Sequence, residues 1–233
     1  MKPTVRLGQV SGVEVGAHWS VGMIVALVSW ALAASLLPEL VADRSDIAYG
    51  LAGLLGGFGL IASIVLHELS HAVVATRDGV AVKRITIWML GGVAELGAHA
   101  RTAGSELRIA LAGPLSSVAI GIASFIVALA ASVLGVDELV VATLGWLTVV
   151  NLSLAVFNML PGAPLDGGRV VAAVLWQRTG DEQFAREKIA VRVDRTDRSG
   201  NRIAGRVDHT YIQRSRFPTR QSDLHPLTIQ PHQ

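Results

Sequence analysis

Residues 47–71 read IAYGLAGLLGGFGLIASIVLHELSH. The first twenty, Ile47 to Leu66, carry no charge, and about 20 apolar residues are what an α-helix needs to cross a bilayer. The run then closes on His67, Glu68 and His71. A charged side chain at the middle of a spanning helix costs roughly 2.5–3.5 kcal/mol on insertion scales. Polar groups gathered at the end of one span therefore ask for a partner that makes use of them.

Outward from this stretch lie three more charge-free intervals, Val15–Pro38, Ile109–Val136 and Leu139–Leu165. Each exceeds the roughly 18 residues that mark a spanning helix. The 233-residue chain is 51% hydrophobic, with a mean hydropathy of +0.49. Four buried helices of a large soluble core would be the alternative, but four such runs within the first 178 residues leave almost no polar exterior. The expected fold is mainly α, a polytopic membrane helix bundle with spans at 17–38, 47–76, 108–135 and 139–160. Lys2 and Arg6 precede the first run as in a secretory leader, yet the run is long for a leader's core, so it reads as a retained span.

Charge in the connections gives an orientation. Lys2 and Arg6 precede the first span; Glu39, Asp43, Arg44 and Asp46 follow it; Arg77, Lys83, Arg84, Arg101 and Arg108 follow the second; Asp137 and Glu138 follow the third; Arg169 and Arg178 follow the fourth. Basic connections alternate with acidic ones, which places the N-terminus in the cytoplasm of a multi-pass cell-membrane protein. Between Val82 and Leu96, Ile85, Ile87, Trp88 and Val93 favour strand and Gly91-Gly92 marks a turn. This predicts a short membrane-associated β-hairpin over 82–96. Its backbone must lean on protein or line a wet cavity. Residues 179–233 carry ten Lys or Arg and seven Asp or Glu, and within them Val191–Arg206 has no helical or strand period. They read as a polar, disordered cytoplasmic tail, with a short helix around Glu182–Val191. The net charge of +2 gives no pointer to nucleic acid.

The chain has no cysteine, so a bound metal must rely on His, Asp or Glu. Histidines four apart lie about 40° from each other around a helix, so both rings can reach one ion. Glu68, about 100° from His67, can face a water at that ion without taking a ligand position. This is the HExxH pattern that binds zinc. A catalytic zinc needs a third protein ligand. The fourth span ends in Asn158-Met159-Leu160-Pro161-Gly162-Ala163-Pro164-Leu165-Asp166-Gly167-Gly168-Arg169, where prolines and glycines break the helix. Spans two and four run in the same direction, so Asp166 can share a depth with His67 and His71. Asp166 could equally cap a helix starting after Pro164. Asn151 reads as a packing group, and Asn158 could simply bridge helices.

With both segments in view, the sequence resembles the site-2 protease family of intramembrane zinc metalloproteases. Lesser matches are Gly91-Gly92-Val93-Ala94 and Ala112-Gly113-Pro114. The resemblance covers roughly residues 15–178, a transmembrane metalloprotease core (1–178) whose ligand segment is 158–176. It implies one Zn2+ per chain held by His67, His71 and Asp166, with Glu68 as general base and later proton donor. It implies Asn158 as a stabiliser of the oxyanion and the hairpin as a guide for extended substrate. The implied function is hydrolysis of peptide bonds in or near the transmembrane segments of membrane-anchored substrates. Relatives of this style continue with further spans and nucleotide-sensing modules, so the chain reads as truncated after the core spans. The competing class is a non-catalytic metal-binding membrane protein, either a truncated pseudoprotease or a divalent-cation transporter. Against a transporter stands the confinement of acidic groups at membrane depth to Glu68 and Asp166, beside the histidines.

Overall fold

The computed structural model describes residues 3–10, 12–88, 91–96 and 100–194. The expectation of disorder in the tail falls mostly on 195–233, outside the described residues.

Among the described residues, four helices are long and apolar enough to cross a membrane. The first rod, Ser20–Leu40, is α1 (Ser20–Ala31), a π-helical turn (Leu32–Leu36) and α2 (Leu37–Leu40) in succession. The others are α3 (Asp46–Arg77), α4 (Ala103–Val133) and α5 (Glu138–Asn158). Their starts are written in short polar side chains that take up orphan amide groups. Ser45 Oγ accepts from Ala48 N at 3.2 Å, Thr102 Oγ1 from Ser105 N at 3.1 Å, and Asp137 Oδ1 from Leu139 N at 2.8 Å. Only 22% to 33% of the most apolar window of each rod is buried inside the protein. Trp30, Ile47, Leu55, Phe125 and Phe157 all face outward. In water that surface would oppose folding; in lipid it is the solvated face. The chain is a multi-pass membrane protein.

Inside the bundle, small residues set the spacing. A Cβ on Gly53 would run into the Ser29 carbonyl oxygen, and one on Gly59 would meet Leu147 Cδ1 at 2.9 Å. Helix α3 therefore packs closely on both α1 and α5. Asn151, fully buried on α5, donates from Nδ2 to Ser63 Oγ on α3 at 3.1 Å and to the Leu147 carbonyl at 2.8 Å. It packs helices together, as its place in the sequence suggested.

The hairpin is part of something larger. Strands β1 (Val5–Val10), β2 (Val13–Ala17), β3 (Val82–Trp88) and β4 (Gly91–Leu96) form one sheet in that order. The β1–β2 and β3–β4 pairs are antiparallel, and β2–β3 is parallel. Two strands do lie within 82–96, but Gly91 and Gly92, expected as the turn, belong to β4, where they pair with Trp88 and Ile87; β1 and β2 were not expected. Val13 and Val15 do alternate with Glu14 and Gly16, but Val15 also opens a long uncharged run, and the helical signal masked the shorter one. The sheet's inner face, Val13, Ile85 and Ile87, packs on Ala72 and Ala75 of α3 and Ile109 of α4. Arg84 clamps β3 to Glu14 on β2 at 3.0 Å, and Arg108 Nη2 donates to Asp78 Oδ2 at 2.7 Å, tying the end of α3 to α4. The sheet is thereby seated over the end of α3 that carries His67 and His71.

After α5 the chain turns through 159–165 into α6 (Asp166–Thr179) and α7 (Glu182–Asp194).

Candidate metal centre

His67 lies 21 residues into α3, about 32 Å along it at 1.5 Å per residue, a length comparable with the roughly 30 Å thickness of a hydrocarbon core. One turn on, His71 shares its face. Both are buried, as is Asp166. Residue 165, not 166, takes the N-cap position of α6, and Asp166 stands in the first turn with its side chain turned inward. The loop that delivers it is packed tightly. A Cβ on Gly167 would strike the Met159 carbonyl, and one on Gly168 would lie 2.7 Å from the Gly162 oxygen. The two glycines let the 159–165 loop fold back on the helix start, which sets where Asp166 points.

The three side chains meet. His67 Nε2 and His71 Nε2 are 3.2 Å apart, and Asp166 Oδ2 lies 3.2 and 3.1 Å from them. Ligand atoms about 2.0–2.1 Å from a tetrahedral zinc are separated by about 3.3 Å. The triangle is the right size for one ion, and two imidazoles with one carboxylate are a zinc donor set. Among the described residues, this is the one cluster of three His, Cys, Asp or Glu that could hold a metal.

The other imidazole nitrogens fix how the rings present themselves. His71 Nδ1 is 2.6 Å from the Ile109 carbonyl. A carbonyl only accepts, so Nδ1 carries the proton and Nε2 keeps its lone pair for a metal. His67 Nδ1 is 2.9 Å from Ser117 Oγ, which is fully buried. With Nε2 facing the shared point, Nδ1 donates to that hydroxyl. Sequence reasoning missed Ser117 and the Ile109 carbonyl. The match at Ala112-Gly113-Pro114 was the nearby signal, since it marks the part of α4 that reaches the histidines. A Cβ on Gly113 would overlap Nε2 of His71 and crowd Nε2 of His67. We expect Ser117→Ala to weaken zinc binding by about 10- to 100-fold, the usual cost of losing a partner behind a ligand. Chelator competition on the purified chain measures it.

Glu68 is half-buried beside the triangle rather than in it. It lines a cavity of about 500 Å3 with His67, His71, Asp166, Asn158 and Arg169. Strand β4 passes directly over it, for a Cβ on Gly92 would collide with the Glu68 side chain. Asn158 stands on the same wall, but its Nδ2 donates to the Leu154 carbonyl of its own helix at 3.0 Å. One of its two N–H bonds is thereby engaged.

Residues 56–140 and 135–195 match the sequence profile of peptidase family M50. This chain belongs to peptidase family M50. It is similar to the "Putative zinc metalloprotease Rip3" of Mycobacterium tuberculosis, at 44% identity over 181 residues covering 78% of this chain and 46% of that protein. It is also similar to "Zinc metalloprotease MJ0392" of Methanocaldococcus jannaschii, at 39% identity over 121 residues covering 52% of this chain and 34% of the other. Among solved structures, the "Site-2 Protease from Methanocaldococcus jannaschii" superposes with a TM-score of 0.51 and 28% identity over 80% of this chain and 78% of that one. The M50 chain described here spans about half the length, or less, of these curated relatives. The metal named for them is zinc, and the donor set of this M50 chain suits it.

Proposed function

We propose that this chain is the core of an intramembrane zinc metalloprotease that cleaves membrane-anchored proteins in or near their transmembrane segments. The observation that carries the proposal is the His67–His71–Asp166 triangle with Glu68 beside it on the wall of one cavity. In this reading His67, His71 and Asp166 hold zinc. When bound, zinc polarises the scissile carbonyl and lowers the pKa of water to about 7. Glu68 accepts the proton of the attacking water and passes it to the leaving amine. The free amide hydrogen of Asn158 is offered to the oxyanion.

Strand β4 ends the sheet, with no further strand on its outer side among the described residues. An unwound substrate segment adding to that edge would run past Glu68, and main-chain pairing would hold it extended. Extension matters because a helical peptide bond is shielded by its own hydrogen bonds. The alternation of basic and acidic connections supports a cell-membrane location with the N-terminus and the metal centre toward the cytoplasm, where water can enter.

The test is a helical reporter reconstituted with the purified chain. Cleavage should stop on chelation and return with added zinc. Cleavage that survives full removal of metal would overturn the proposal. Stoichiometric zinc with no cleavage of any membrane-anchored reporter would leave a metal-binding, non-catalytic protein instead.

A further inference from the structure

Asp166 offers the imidazoles only one of its oxygens. Oδ2 faces both Nε2 atoms, while Oδ1 faces Arg169 Nη1, 4.0 Å away and three residues on along α6. Arg169 is gripped from its other side. Its Nε donates to Glu106 Oε1 at 2.9 Å, and Glu106 is buried in the first turn of α4. One guanidinium thus lies between two carboxylates from two different helices. It also forms part of the wall between the metal cavity and a second cavity of about 370 Å3, with Pro164 and Leu165 as the other shared residues.

A buried carboxylate such as Glu106 is costly without a counter-charge, and among the described residues Arg169 supplies it. The pairing fixes a planar, rigid fork, so the remaining edge of the guanidinium is held toward Asp166. We propose that Arg169, fixed by Glu106, is a positioning residue for the ligand Asp166. It attracts Oδ1 and leaves Oδ2 alone to ligate, which makes Asp166 a one-oxygen ligand of set direction. Partners behind a metal ligand act in this way, and their loss costs about 10- to 100-fold in metal affinity. The inference rests on the reading of His67, His71 and Asp166 as zinc ligands, and reaches beyond it to residues that touch no metal.

The experiment measures zinc Kd by chelator competition, and thermal unfolding, on the full chain purified in detergent. The visible spectrum of the Co2+-loaded protein reports ligand geometry. For Arg169→Met we expect zinc Kd to rise about 10- to 100-fold with a changed cobalt spectrum. For Glu106→Gln, which loosens the tether but keeps the cation, we expect a smaller rise of several-fold. The double variant E106R/R169E re-forms the ion pair but sets a carboxylate beside Asp166. It should regain thermal stability while binding zinc about tenfold more weakly, or worse, than the parent. A purely structural ion pair would recover both.

Arg169→Met with a Kd within twofold of the parent, or a double variant with parental zinc affinity, overturns the inference. If Arg169→Met does not fold, an unchanged Kd in Glu106→Gln does the same. A parent chain that binds no zinc would overturn the ligand assignment and this inference together. A zinc-binding parent with unaffected variants overturns the inference alone.

Discussion

Glu68→Gln is expected to keep zinc bound at parental affinity while cleavage of a helical reporter falls by about 10²- to 10⁴-fold, the usual contribution of a positioned acid or base. The separation of the two effects follows from where Glu68 stands. It is next to His67 in sequence but about 100° around the helix from it, and the triangle of ligand atoms closes without it. Its side chain lies against the backbone of Gly92, where a Cβ would collide with it. Glutamine fills the same volume, so strand β4 need not move. What is lost is the capacity to accept a proton. Zinc content by elemental analysis and cleavage rate on the same preparation decide the matter. A rate within threefold of the parent would remove Glu68 as the base and take the proposed mechanism with it.

Gly113→Ala is expected to abolish stoichiometric zinc binding, with Kd rising on the order of 100-fold or more, although alanine is the better helix former by about 1 kcal/mol. Gly113 lies on α4 opposite the paired imidazoles, and its missing Cβ would occupy space at both Nε2 atoms. The rings have little freedom to retreat. His71 is tied to the Ile109 carbonyl at 2.6 Å and His67 to Ser117 at 2.9 Å, and both anchors lie on α4, the helix that would bring in the methyl. Either the rings leave their places or α4 moves off α3, and overpacking of this kind costs about 1–3 kcal/mol. Set against the helix-propensity gain, the net change in thermal stability should be small beside the loss of metal. Chelator competition and thermal unfolding in detergent measure the two separately. Stoichiometric zinc at parental affinity in Gly113→Ala would mean that α4 does not approach the histidines as described.

Much of the architecture could be read from the chain because a lipid solvent makes length and charge alone informative. Four uncharged runs became four rods, with ends within a few residues of expectation; the start of α4 at Ala103 is the largest shift, five residues before 108. The π-helical turn at Leu32–Leu36 left no trace in composition. Strands β1 and β2 were missed because five alternating residues beside a long apolar run are overruled by it. At the site, HExxH carried its own geometry, since residues four apart on a helix share a face whatever surrounds them. Asn158 was placed on the cavity wall by its segment, but that its amide would turn back to the Leu154 carbonyl could not be foreseen.

The sequence by itself determined that this protein spans a membrane several times and that α3 carries two imidazoles and a carboxylate at one end. Both follow from local rules, the cost of charge in lipid and the angular period of a helix. Only the tertiary structure decided that Asp166 Oδ2 comes within 3.2 Å of both rings, that Ser117 and the Ile109 carbonyl orient them, and that Gly113 leaves room for an ion. Those facts depend on which helix faces meet and how far a broken loop folds back. Such contacts join residues up to 99 positions apart, where no local period of the chain can register them.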